Sequence, residues 1–214
     1  MINDNLTIYN KEISLSISKE QLSLLPTVEF FGKITVVETP KVADMALDFL
    51  NRQKIVGFDT ETRPSFRRGR TYKVSLIQIS TLRHSFLFRI NKLGFIDELR
   101  EFLENENIIK VGLSIKDDFH VLRRVADFTP RGFIDLQPFV KKYGIVDNSL
   151  QRIYGIIFGE RISKSQRLSN WEADELTAGQ CSYASIDAWA CLKMYNHLVE
   201  GYFNPATSPY ICSK

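Results

Sequence analysis

Asp59 and Glu61 stand two positions apart in the run IVGFDTET, residues 55–62, where an apolar stretch ends on a pair of carboxylates. Side chains alternate faces along a strand, so these two point the same way and their charges share one small region. They repel and lose hydration there, a cost that calls for a compensating positive group. Two further acids sit where a bland sequence would not place them. Asp187 lies within YASIDAWACL, and Asp118 lies in the first turns of a helical segment that follows IIKVG. A lone ionised carboxylate amid apolar neighbours is strongly disfavoured, so Asp187 needs a partner. Asp118 taken alone is equally well read as a charge that complements the helix dipole, worth about 0.3–1 kcal/mol. If both strand ends and both helices meet at one edge of a sheet, the four acids form a nest that divalent cations neutralise.

Oxygen-only ligands suit Mg²⁺ or Mn²⁺ rather than zinc, and the three histidines, His84, His120 and His197, show no shared ligand spacing. Two such ions roughly 3.5–4 Å apart clamp a phosphodiester, one at the attacking water and one at the leaving oxygen. Hydrolysis of a nucleic-acid backbone is the chemistry this set suggests. Tyr183 lies four residues before Asp187 and shares its helix face. A phenol with an ordinary pKa of about 10 is mostly neutral at working pH, so it suits orienting the water better than deprotonating it. Taken singly, Tyr183 is also readable as a core aromatic with a satisfied hydroxyl.

The elements that must carry these residues follow from periodicity. KITVVE, KIVGFDTE, YKVSLIQIS and SFLFRI read as strands, the last two joined across TLRH as a hairpin, which gives three antiparallel strands. TPKVADMALDFLNR reads as a helix with Thr39 at the N-cap and Pro40 in the first turn. FIDELREFLENE is helical, IIKVG is a short buried strand, and SIKDDFHVLRRVA is a helix that begins near Ser114. A short strand at 133–135, a helix after it, and a helix stopped by Gly159 come next. Thr177 and Gln180 form a capping box that opens a long terminal helix to about Val199. The expected fold is α/β, a mixed sheet of three antiparallel strands followed by parallel ones, flanked by helices. Residues 1–32 read as an N-terminal extension with a short helix capped at Ser18, and 201–214 as a tail.

With 214 residues, 44% of them hydrophobic, the chain can build one packed domain. A formal charge of +3 is too mild to argue for a polyanionic partner, so local clusters must do so. Cys181, Cys191 and Cys212 have no C-x-x-C spacing; two read as small core residues, and a reducing compartment fits. No apolar run approaches the roughly 20 residues of a bilayer span, so a soluble, cytoplasmic protein without a membrane is expected.

Asp59-x-Glu61, Asp118 and Tyr183-x-x-x-Asp187, in this order, resemble the tyrosine branch of the DEDD 3′-5′ exonucleases within the ribonuclease H-like superfold. RGRTYKVSLIQIS, KVGLSIKDDFHVLRR and KSQRLSNW extend the likeness to the Werner exonuclease-like group, with ribonuclease D more distant. It covers roughly 33–200. The resemblance implies that Asp59, Glu61, Asp118 and Asp187 bind two metal ions and that Tyr183 positions the nucleophilic water. Two departures stand out. The second motif reads Asp117-Asp118, where relatives usually carry a small residue before the acid, and the flanking VGLSIK favours Asp118 as the ligand. DTETRP also lacks the tryptophan-proline common after the first-motif glutamate.

Arg67, Arg68 and Arg70, with Lys73, follow the acidic strand and either hold upstream phosphates or form a solvated basic loop. Lys164 and Arg167 are assigned to the phosphate backbone, while Trp171 is either a packing anchor, the favoured role, or a base-stacking platform. Phe119 either lines the pocket or packs in the core, and Thr60 and Thr62 offer hydroxyls or amides to the terminal nucleotide. The expected activity is metal-dependent 3′-5′ exonuclease cleavage that releases nucleoside 5′-monophosphates from a single-stranded or 3′-recessed end, with DNA slightly favoured. A catalytically silent nucleic-acid-binding module is the alternative, and a protein-interaction domain a third reading.

Overall fold

The structure is a computed structural model that describes residues 13–67, 69 and 71–212. In chain order the elements are α1 (Lys19–Ser23), β1 (Lys33–Val37), α2 (Pro40–Leu50), β2 (Ile55–Thr62), β3 (Val74–Ser80) and β4 (His84–Arg89). They continue with α3 (Ile90–Leu93), α4 (Asp97–Glu104), β5 (Ile109–Gly112), α5 (Ile115–Leu122) and β6 (Phe133–Asp135). The last helices are α6 (Leu136–Val140), α7 (Leu150–Phe158) and α8 (Ala178–Val199).

The strands form one sheet in the order β1-β4-β3-β2-β5-β6. The expected antiparallel trio is β2, β3 and β4. β5 runs parallel to β2 and β6 parallel to β5, while β1 adds a parallel edge beside β4. The consequence for function lies at β2. Because it runs parallel to β5, the carboxyl ends of both strands lie at one edge of the sheet, the place where open α/β sheets present their ligands.

Helices cover both faces. α2, α4 and α5 pack over Val56, Phe58, Ile77 and Ile79 on one face. On the other, Leu76 and Leu87 meet Ala184 of α8, and Val111 meets α6, α7 and the rest of α8. All seven residues of β3 are buried, as a strand covered on both sides requires. Several local signals are realised as the residue types dictate. Thr39 caps α2 by accepting from the Val42 amide, Ser18 and Gln21 form a capping box on α1, and Gly159 ends α7 at φ 66°.

The flanking segments are tied into the same core. Leu15 and Ile17 are fully buried, the Ile17 amide donates to Asp147 at 3.0 Å, and the Cys212 amide donates to the Ser14 carbonyl at 2.8 Å. Phe203 is buried beside Tyr143. Cys191 is buried, Cys181 half-buried and Cys212 exposed, all as free thiols. Among the described residues no helix is long and apolar enough to cross a membrane.

Two buried cations were not legible as such in the sequence. Arg89 is fully buried on β4 and donates to Glu38 and to the Asp174 carbonyl, both at 2.7 Å, and to the Ala173 carbonyl. It thereby anchors the loop before α8 to the sheet. Lys110 donates to the Asn105 carbonyl at 2.6 Å, and burial pushes its pKa down to about 8.

Candidate active site

The acidic edge is assembled from three elements. Gly57, Asp59 and Glu61 point to the α8 face of β2, while Phe58 and Thr60 point to the α5 face. Asp187 comes down from α8, and its carboxylate lies with those of Asp59 and Glu61 so that one oxygen of each falls within 4.8 Å of the others. Asp118 approaches from the α5 side, where the Thr60 hydroxyl donates to its Oδ1. Asp117 is exposed. The Thr60 contact therefore singles out Asp118 from the adjacent pair.

Close packing of α8 depends on Gly57. A Cβ added there would lie 1.8 Å from the Ala188 carbonyl oxygen, so the helix backbone rests directly on the strand. Ala188 adjoins Asp187, and this approach sets the depth to which the acid reaches. An isolated glycine inside a strand is the sequence sign of such an approach, and IVGFDTET carried it. Asp135 is a second positioning residue that residue types alone did not flag. Its Oδ1 accepts from the Ser114 and Gln137 amides, at 3.1 and 2.9 Å, and so fixes the turn into α5 to the start of α6. Ser114 has a left-handed backbone, φ 59°, at that turn.

The start of α8 holds a third part of the site. Gln180 accepts from the Thr177 amide at 3.0 Å and donates its Nε2 to the Asn170 carbonyl at 3.2 Å. One residue thus caps the helix and ties down the basic stretch that precedes it. Gln180→Ala is expected to cost about 1–2 kcal/mol, a cap plus a buried hydrogen bond. This would be read as a lowered Tm in thermal melts, and a change within error would show the tie to be weak.

That basic stretch forms one wall of a cleft of about 230 Å³, where Lys164 and Arg167 face Tyr183, Asp187 and the start of α7 at Ser149. A larger groove of about 370 Å³ between α2 and α4 is lined by Asp44, Asp48, Glu98 and Glu101, the wrong sign for a phosphate backbone. Trp171 corrects the stacking option. It is fully buried between Leu76, Leu87 and Ala184, with its ring 6.1 Å from that of Tyr183, and so it packs beneath the cleft and cannot meet a base. Phe119 is half-buried and packs edge-on against Phe133 at 4.9 Å. Thr60 spends its hydroxyl on Asp118 rather than on a nucleotide, and Thr62 sits half-buried at a bulge after Glu61. Arg67 is exposed; Arg68 and Arg70 lie outside the described residues.

Burial, and after it the crowding of like charges, raises the pKa values of the acids. Burial pushes Asp59 well above the carboxylate range, and the charges of Asp118, Asp187 and Glu61 add to it. Burial, then Asp187 and Asp118, push Glu61 up to about 9 against the opposing charge of Arg167. Burial raises Asp187 to about 7, partly offset by a hydrogen bond from Tyr183. Burial likewise raises Asp118 to about 6, partly offset by Thr60. Burial and the neighbouring acids push the Tyr183 phenol up too, so it stays neutral.

These shifts have a signed consequence for stability. Acids with ordinary values of 3.8 and 4.5 keep their protons to higher pH when folded, so the native state binds more protons than the unfolded one at neutral pH. Without divalent ions, stability should therefore fall as pH rises from about 5 to about 9. Thermal melts in chelator should show that fall, and saturating Mn²⁺ or Mg²⁺ should flatten it. A profile that rises with pH in chelator would contradict the clustering.

Residues 34–201 match the family model described as 3'-5' exonuclease. The chain belongs to the 3'-5' exonuclease family. Among its relatives is the bifunctional 3'-5' exonuclease/ATP-dependent helicase WRN of Mus musculus, 32% identical over 184 residues that cover 81% of this chain and 13% of the relative. Ribonuclease D of Cronobacter turicensis is 27% identical over 154 residues, covering 69% of this chain and 40% of the relative. The chain thus spans well under half of either protein. Among solved structures, the Nibbler EXO domain of Aedes aegypti superposes with a TM-score of 0.74 at 19% identity, covering 84% of this chain and 96% of that one. The fold is the ribonuclease H-like mixed sheet with a long terminal helix, and the acidic cluster is compatible with divalent metal.

Proposed function

We propose that this chain is a metal-dependent 3′-5′ exonuclease that releases nucleoside 5′-monophosphates from a single-stranded or 3′-recessed nucleic acid. The observation that carries the reading is the meeting of Asp59, Glu61 and Asp187 within 4.8 Å, in a chain of the exonuclease family. The donor set fits two Mg²⁺ or Mn²⁺ ions. It is all carboxylate, and burial together with the charges of the neighbouring acids disfavours its ionised form, a cost that dications relieve. When bound, such a pair neutralises the attacking and leaving oxygens of an in-line displacement at phosphorus.

The chain's own residues do the rest. Asp59, Glu61, Asp118 and Asp187 hold the ions, and Thr60 fixes the orientation of Asp118. Tyr183, kept neutral, orients the attacking water by hydrogen bonding and does not act as its base. Lys164 and Arg167 on the cleft wall pair with phosphates near the scissile bond, and Arg67 with phosphates further upstream. Phe119 and Thr62 border the terminal nucleotide. Residues 33–200 form the catalytic domain, with 1–32 and 201–214 as flanks. The resemblance of the motifs to the Werner exonuclease-like group makes DNA the first substrate to test, with RNA beside it. Three free cysteines support a reducing, cytoplasmic setting.

The experiment incubates the protein with 5′-labelled single-stranded DNA, 3′-recessed duplex DNA and single-stranded RNA, in Mg²⁺, in Mn²⁺ and in chelator. A metal-dependent ladder that shortens from the 3′ end is expected. Binding without shortening on every substrate would replace this reading with the silent binding module.

A further inference from the structure

β3 carries an amide where a strand covered on both faces calls for apolar side chains. Gln78 is 0% exposed, and among the described residues neither its Oε1 nor its Nε2 has a hydrogen-bond partner. A buried amide left unpaired is costly, so its presence calls for an explanation. A second such group lies close by. Ser85 on β4 is also 0% exposed, and its Oγ has no partner among the described residues.

The sheet register sets the two groups in a row that ends at the acids. Gln78 stands directly opposite Asp59 on β2, and Ser85 stands opposite Ser80, two positions along β3 from Gln78. All four share the face of the sheet that α8 covers. Directly opposed residues of an antiparallel pair bring their Cβ atoms to about 4.5–5.5 Å, and diagonal ones stay within reach of a long side chain. Gln78 can thus reach Asp59 on one side and Ser85 on the other. Its nearest neighbours otherwise offer little. Leu76 and Leu87 are apolar, and the Ser80 hydroxyl already donates to the Thr81 carbonyl at 2.9 Å. α8 rests there through Ala184, packed with Leu76 and Leu87, and through Ala188 on Gly57, both with methyl side chains.

We propose that Ser85 and Gln78 form a buried relay that positions Asp59. The Ser85 hydroxyl donates to Gln78 Oε1, which leaves Nε2 to donate to an oxygen of the Asp59 carboxylate. The proposal rests on the metal-dependent reading above and names the residues that hold one of its ligands from behind. A carboxylate on a hard cation keeps lone pairs for a second donor, and that donor fixes the angle at which the ligand meets the ion. An amide suits the part because it donates without adding charge to a crowded anionic site. Neither residue touches substrate, so both are positioning residues that act through Asp59.

The test is Gln78→Met, which keeps the volume and removes both polar atoms. Calorimetric Mn²⁺ titration of the full chain is expected to show affinity about 10–100-fold weaker than wild type. In saturating Mn²⁺, kcat on single-stranded DNA should fall about tenfold with KM unchanged. The Tm in chelator should hold or rise, because no amide is left unpaired. Ser85→Ala, one step further from the acids, should weaken Mn²⁺ binding about threefold or more, and it decides the matter should Gln78→Met fail to fold. Equal Mn²⁺ affinity in either variant, when folded, overturns the relay and leaves the exonuclease intact. A Tm in chelator that shifts while Mn²⁺ affinity holds would make Gln78 a structural amide served by an internal water. A wild type that binds no Mn²⁺ removes the metal-dependent reading, and the relay with it.

Discussion

Asp59→Asn is expected to lower the exonuclease rate by about 10³-fold in saturating Mg²⁺, while raising the Tm of the same protein in chelator. The first effect follows from donor chemistry. An amide keeps the shape of the carboxylate but loses the negative charge that binds hard cations, and the several kcal/mol that those cations supply to the transition state correspond to about three decades of rate. The second follows from the electrostatics. Asp59 is pushed well above the carboxylate range by burial and by Asp118, Asp187 and Glu61, so each pays to be ionised beside the others. Removing one charge relieves that repulsion, most of all toward pH 9, where Glu61 also ionises. The opposed signs separate a ligand from a structural acid, since a structural acid would lose stability and activity together. Steady-state rates and thermal melts in chelator measure the two. A variant with more than about a tenth of wild-type activity, or with a lower Tm in chelator, would remove Asp59 from the role assigned to it.

Three of the acids were legible because each broke a local rule. Asp59 and Glu61 ended an apolar strand on one face, and Asp187 stood inside a helix stripe that should be apolar, so the cost of burying them announced a shared site. The hairpin of β3 and β4, the Ser18 cap and the Thr177–Gln180 capping box were legible because their signals span only a few residues. What stayed hidden depends on distant partners. That β1 lies parallel at the edge beside β4 is a matter of crossover geometry, which periodicity does not encode. The fully buried Leu15 and Ile17 sit in a stretch that reads as an extension, since their partners near Ile145 and Ile211 are far along the chain. Asp117 and Asp118 are chemically identical, and to the preference for Asp118 that the flanking VGLSIK gives, the structure adds the Thr60 hydroxyl on another element. Trp171 is the converse case. A tryptophan beside a cleft suits stacking and packing alike, and the space between Leu76, Leu87 and Ala184 decided for packing.

Gly57→Ala should be the most damaging single-methyl change in the site. The new Cβ would fall 1.8 Å from the Ala188 carbonyl oxygen and 3.3 Å from the Leu192 Cβ, and the first of these is a helix backbone atom with no rotamer in which to escape. Either α8 lifts from β2 or the strand bends away. Overpacking of this kind costs about 1–3 kcal/mol, and at roughly 2–4 °C per kcal/mol for a chain of this size Tm should drop by about 2–12 °C. The catalytic effect should be larger than the stability effect. Ala188 follows Asp187 directly, so lifting the helix by a fraction of its contact distance moves the carboxylate out of the group that now closes to within 4.8 Å. A displacement of about 1 Å can cost about 10²-fold in rate, and that loss should persist at temperatures well below the lowered Tm, where the variant is folded. Calorimetric Mn²⁺ titration should show weakened binding in parallel, because the same geometry sets ligand spacing. A variant that melts earlier yet binds Mn²⁺ and turns over like wild type when folded would mean that Asp187 reaches the acidic edge without the close seat of α8 on Gly57. The site would then owe its assembly to the loops at its rim and not to the packing of helix on strand.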